Sequence, residues 1–176
     1  SMRAGEAPTP HIAVLALGAD AMAQDDVITR GLQSVNVMTA GTLAPREGSG
    51  LEFEPLLLSS AQSAPIPASR LSVMADPGSL LEGFKPTNET YAIAARVHGR
   101  LKSAYPGGSP APDGAAAGSG LKESKNEADL VVVADTDILS DMLWVRRQDL
   151  FGQPFAVAWA NNGDLLANAL DNLAGS

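Results

Sequence analysis

The sequence predicts an α/β layered domain with a central, partly parallel (mixed) sheet, itself part of a larger α/β domain. Three observations lead there. Apolar runs of strand length alternate with shorter helical pieces. One of them, Asp129–Ala134 (DLVVVA), is apolar without alternation, the character of a strand buried on both faces. Helical segments are also too few for five or six strands, as expected of a domain whose remainder lies in a parent chain. In the same reading the opening Ser1-Met2 is an expression scar, residues 1–10 are a flexible leader, and residues 11–176 are a single α/β fragment. A length of 176 residues suits one domain.

His11–Leu17 (HIAVLAL) follows Pro8 and Pro10 and reads as the first strand. Asp25 and Asp26 are placed to cap a short helix holding Val27, Ile28 and Leu32, weakened at its end by Gly31. Val35–Thr39 alternates, with Val35, Val37 and Thr39 on one face and Asn36 and Met38 on the other. After a loop over 41–50, Leu51–Ser60 begins with Leu51 and Phe53 inward and Glu52 and Glu54 outward. Pro55 then assigns it to an edge or a bulge, because proline has no N–H to give to a ladder. Four prolines make 61–90 irregular apart from one turn of helix near Leu80.

Tyr91–Leu101 is the clearest amphipathic strand: Tyr91, Ile93, Ala95, Val97 and Leu101 share one face, and Arg96, His98 and Arg100 the other. Residues 104–120 are low-complexity and expected to be mobile. Asp129–Ala134 is expected at the centre of the sheet. Asp135–Asp141 leads into a helix or turn, and Phe155–Ala160 is extended. The last helix is capped by Asn162 and carries an apolar stripe of Leu165, Leu166, Ala169, Leu170 and Leu173.

Composition narrows the function. Hydrophobic residues make up 45% and charged residues 18%, a globular balance. A net charge of −8 opposes a broad phosphate-binding surface, so no nucleic-acid partner is expected. Cysteine is absent, which excludes disulfides, thiol catalysis and cysteine zinc sites. With only His11 and His98, a histidine-rich metal site is equally unexpected. No apolar run approaches the ~20 residues that cross a bilayer. Neither a phosphate-binding loop nor a nucleophile elbow occurs in a suitable setting, so no cofactor is expected.

Two charged groups remain as candidate binding residues. Asp135 and Asp137, with Asp141 beyond them, follow a strand in the place where carboxylates hold Mg²⁺. The pattern resembles the first motif of haloacid-dehalogenase-type phosphatases and gives an alternative reading, a Mg-dependent phosphatase-like hydrolase. That family needs a basic residue and further acids downstream, whereas only Arg146 and Arg147 follow here. Ile138 and Leu139 also stand where small residues belong. Asp135 or Asp137 therefore reads first as a cap of the following turn. The second group is a basic stripe of Arg96, His98 and Arg100, together with Lys102, in a stretch without acids between Glu89 and Asp113. Residues 127–176 by contrast hold eight acids and two arginines, net −6. The stripe suits an anionic partner, or serves as a solvated face that discourages edge pairing. Trp144 and Trp159 are of a kind that stacks a ligand or anchors a core.

Five phrases occur in a telling order: Leu32–Gly41 (LQSVNVMTAG), Glu54–Ser60 (EPLLLSS), Tyr91–Lys102 (YAIAARVHGRLK), Val131–Asp141 (VVVADTDILSD) and Asn161–Ser176 (NNGDLLANALDNLAGS). Together, from about residue 25 onward, they resemble the bacterial gliding-motility-type (GldG-like) ABC transporter auxiliary family. The resemblance implies an accessory, non-enzymatic α/β domain on the periplasmic face of the inner membrane, of which this segment is the C-terminal part. It would be anchored through helices of the parent protein outside this segment, with the permease and ATPase of the same system as partners. The family carries no established catalytic residues, so none is assigned.

Overall fold

The computed structural model describes residues 11–71, 77–108 and 120–175. The leader 1–10 and most of the loop expected at 104–120 lie outside them. Helices and strands are mixed, as an α/β fold requires, in the order β1 (Val14–Gly18), β2 (Ser34–Met38), β3 (Glu52–Leu58), α1 (Pro77–Leu81), β4 (Ala92–Gly99), β5 (Ala128–Val133), α2 (Asp141–Trp144), β6 (Val145–Leu150), β7 (Gln153–Ala158) and α3 (Asn162–Ala174).

The strands form three ladders: β1–β2, β3–β4–β5 and the hairpin β6–β7. All of them are antiparallel, which corrects the expectation of partly parallel pairing. Parallel neighbours need a crossover of a dozen residues or more, normally a helix. The one helix of that length among the described residues, α3, follows the last strand instead of linking two.

The sheet centre is also displaced from its expected place. β4 lies in the middle of its sheet and β5 at an edge, with Leu130 and Val132 exposed. Its continuous apolar run serves two surroundings. Val131 and Val133 pack on the core, while Leu130 and Val132, paired with Val97 and Ala95, lie on the opposite face. At β4 the apolar positions Ala92 to Ala95 are all buried.

β3 is an edge strand, and its pairing slips on either side of Leu57, next to Pro55, as that proline requires. The segment after Asp25 is a hydrogen-bonded turn, not the expected helix. The Asp26 carbonyl accepts from Thr29 and Arg30, and Gly31 at φ 87° ends it. It still buries Ile28 and Leu32, which join Leu17, Val35, Val37, Leu56, Leu57, Ile93, Ile138 and Leu165 in one core. α1 buries Leu80, as expected of the single turn there. β6 is an element that the sequence reading did not find. Its two-residue turn, Phe151-Gly152, has positive φ at both positions (54° and 79°), the geometry that matches hairpin twist.

Candidate functional site

The conformation of β2 sets the centre of the molecule. One edge pairs with β1. The other edge meets three side chains instead of a strand. The N–H groups of Ser34, Asn36 and Met38, alternate positions along β2, donate to Asn161 Oδ1 (3.1 Å), Asn162 Oδ1 (3.0 Å) and Asp135 Oδ2 (2.9 Å). Asn161 N–H returns a bond to the Ser34 carbonyl (2.7 Å), and Asn162 Nδ2 donates to the Asn36 carbonyl (2.7 Å). An amide side chain offers the same donor and acceptor as a peptide group, so two asparagines can stand in for a neighbouring strand. This closes an edge that would otherwise invite pairing.

Asn162 is fully buried and also donates to the Ile138 carbonyl (2.7 Å). Asn36, buried within an apolar strand, donates through Nδ2 to the Leu143 carbonyl (2.7 Å). Asn162 is therefore not the helix cap that the sequence predicts: it is the first residue of α3, and Asn161 holds the cap position with its oxygen turned to β2. Gly163 follows because a side chain there would meet the Trp144 ring at 2.7 Å. Trp144 thus packs on the first turn of α3 in the anchoring role of a tryptophan.

Asp135 and Asp137 are drawn into the same junction. Asp135 is buried; besides Met38 N–H, it accepts from Asp137 N–H through Oδ1 (2.7 Å), the turn chemistry expected of it. Asp137 receives the Thr39 hydroxyl at 3.4 Å. Among the described residues no group of three or more acidic or histidine side chains is placed to hold a metal ion. Asp135→Asn keeps one acceptor but sets an amide nitrogen against Met38 N–H or Asp137 N–H. A loss of about 1–3 kcal/mol, read by chemical denaturation, is the expected outcome.

Two members of the basic stripe, Arg96 and His98, are paired with acids. Across β4, Glu54 lies opposite Arg96 on one side, and His98 lies between Glu52 and Asp129. Opposite charges in cross-strand positions attract. Arg96 is turned inward, with Nε to Asp26 Oδ2 (2.9 Å), Nη2 to Asp26 Oδ1 (3.0 Å) and Nη1 to Asn172 Oδ1 on α3 (2.6 Å). Burial alone would raise the Asp26 carboxyl. The hydrogen bond and charge of Arg96, with Ile28 N–H, instead hold it below its ordinary range. Of the three basic residues, Arg100 is exposed.

His98 Nδ1 donates to Asp129 Oδ1 (2.9 Å), and its Nε2 has Glu127 at 3.5 Å. The Asp129 hydrogen bond, with the charges of Asp129, Glu127 and Glu52, raises its imidazole above the usual 6.5. Folding therefore favours the protonated ring. The stabilisation is complete below the ordinary histidine value and is lost as pH rises through the raised one. An NMR titration should place the His98 midpoint above that of a histidine in an unstructured peptide, and Asp129→Asn should bring it down.

Hairpin β6–β7 and α3 both carry exposed apolar side chains. Phe155, Val157 and Trp159 lie at alternate positions and are all exposed, and the Arg146 guanidinium stacks 5.3 Å from the Trp159 ring. Every residue of β7 is exposed. On α3, Leu165 and Ala169 are buried, but Leu166, Leu170 and Leu173 of the expected stripe face solvent.

Comparison with known proteins gives one assignment. Neither the curated proteins nor the solved structures contain a significant match. A family model described as ABC-type uncharacterized transport system matches residues 1–169, and so includes the β2 junction, the paired basic strand and the hairpin. The chain belongs to this family, the auxiliary components of an uncharacterised ABC transport system.

Proposed function

We propose that this auxiliary domain is non-enzymatic, of the gliding-motility type, and acts outside the cytoplasm through contact with the permease or cargo of its transporter. The observation that carries this reading is the exposed Phe155–Val157–Trp159 stripe on a hairpin with no buried residue on β7. An isolated two-stranded hairpin is marginal in water, and a projecting aromatic stripe is the kind of surface that a partner covers. The carboxylates best placed for chemistry, Asp135 and Asp137, are meanwhile engaged in holding backbone and hydroxyl groups. No helix among the described residues is long and apolar enough to cross a membrane; in the proposed reading the anchor is a helix of the parent protein.

Co-purification with the permease and ATPase tests the reading. Phe155→Ser combined with Trp159→Ser should reduce recovery of the complex at least tenfold while leaving the melting temperature of the core in place. Undiminished recovery would overturn it. Arg96 is unsuitable for such a test, because its guanidinium supports the fold. The hydrolase alternative makes the opposite prediction in a thermal-shift titration with Mg²⁺. We expect no shift; a stabilisation abolished by Asp135→Asn would establish the hydrolase in its place.

A further inference from the structure

A cleft of about 460 Å³ lies away from the hairpin and adjoins the β2 junction only at Thr39, between the start of β1, the 39–42 turn, the 59–66 segment and the start of β4. Its volume is that of a ligand site. Val14, Ile66, Phe84 and Ile93 supply apolar walls, and the hydroxyls of Thr42, Ser60 and Ser63 lie among them. The described lining contains no aspartate, glutamate, lysine or arginine, although such residues make up 18% of the chain. His11 and Tyr91 are its titratable side chains, and a charged group placed there would lose hydration with no carboxylate, ammonium or guanidinium in the described lining to offset it. The occupant that fits is uncharged.

The backbone at the cleft identifies the class further. Along the 39–43 segment, the N–H groups of Thr39, Gly41 and Leu43 donate to the carbonyls of Ala13 (2.7 Å), Ala134 (2.7 Å) and Ala92 (2.8 Å). Among the described residues, the intervening N–H groups of Ala40 and Thr42 make no hydrogen bond, and both residues line the cleft. Backbone donors at alternate positions beside apolar walls are what strand addition uses: main-chain bonds hold the guest, and alternate side chains enter pockets. Thr39, at φ 53°, is a rare left-handed non-glycine residue at the start of this segment, held by Ala13 and Asp137.

We propose that this cleft binds an extended, uncharged polypeptide segment, which hydrogen-bonds to Ala40 and Thr42 and places apolar side chains against Ile66, Phe84 and Ile93. The inference does not depend on the hairpin contact, since the two surfaces are made of different residues.

The test is an amide NMR titration of the whole chain with a pool of N-acetylated, C-amidated hexapeptides built from Ala, Val, Leu, Ile, Phe, Ser and Thr. A second pool carries Asp or Lys at alternate positions. The neutral pool should shift the amides of Ala40, Thr42, Ser60 and Ile93 and leave Phe155 and Val157 unmoved. The charged pool should bind at least tenfold more weakly. Thr42→Pro, which removes one donor, should weaken the neutral pool at least tenfold. Ile66→Trp, which narrows the cleft without touching the backbone donors, should do the same if the proline variant does not fold. No cleft shift at millimolar neutral pool, shifts confined to the hairpin, or equal binding of the two pools would each overturn the proposal.

Discussion

Asn162→Ala should cost about 3–5 kcal/mol of stability and lower the melting temperature by roughly 10 °C, the largest effect of any single amide in the molecule. Truncation strands the Asn36 N–H, the Asn36 carbonyl and the Ile138 carbonyl, all bonded to this one side chain. The fully buried position adds a cavity. Asn162→Asp tests the origin of the loss. It keeps an acceptor for Asn36 N–H but turns two donations into repulsions and brings a charge into the core, so it should fare no better than alanine. Urea titration of both variants, followed by far-UV circular dichroism, reads the difference. A loss below ~1 kcal/mol would mean that water replaces the amide at little cost.

Arg96→Met should destabilise by about 2–4 kcal/mol, because it leaves Asp26 largely buried without its counter-charge. The side chains of the pair are only 17% and 12% exposed, which is why this ion pair matters where a surface pair would not. Arg96→Lys should recover only part of the loss, since an ammonium cannot reproduce the two-pronged contact with Asp26 and the third bond to Asn172. Combining Arg96→Met with Asp26→Leu should cost less than the sum of the two single changes. The wild-type contribution is also pH-dependent. With the Asp26 carboxyl lowered in the fold, it is complete above the ordinary value of 3.8 and disappears as pH falls through the folded value. An acid-induced loss of stability that Arg96→Met no longer shows would confirm the pairing.

Periodicity revealed strands and buried positions better than it revealed partners. The strand expected at 91–101 is present over Ala92–Gly99, and Pro55, read as a sign of an edge or a bulge, lies on an edge strand with shifted register, because both follow from the local covalent character of the chain. The Asp129–Ala134 run was misleading about position. Continuous apolarity reports that both faces meet nonpolar surroundings, and at an edge a partly exposed face meets that description too. The basic stripe likewise looked free because its neutralising acids, Asp26, Glu52, Glu54 and Asp129, lie on other strands and turns that sequence distance does not bring together.

The β2 junction was legible only in part. Asp135 announced itself as turn chemistry, and it does make that turn. Asn36 held the stronger clue: an amide between Val35 and Val37 in a buried strand must find partners. Its partners were not deducible, since Asn161 and Asn162 have the composition of a helix cap and serve that role only by position. The hairpin escaped because β6 is rich in charge and its turn depends on Phe151 adopting a left-handed conformation that glycine or asparagine would normally signal.

The closed edge of β2 also sets an order of events during synthesis. Its three closing side chains lie 97 to 127 residues downstream of the N–H groups they meet. A ribosome-bound chain carrying β1 and β2 therefore displays an open, hydrogen-bond-hungry border until residue 162 has emerged. Local contacts can form early, but the edge is sealed only when the asparagine doublet arrives, 126 and 127 residues after the N–H groups it meets. That interval is when a nascent chain of this family most needs shielding from its neighbours on the polysome.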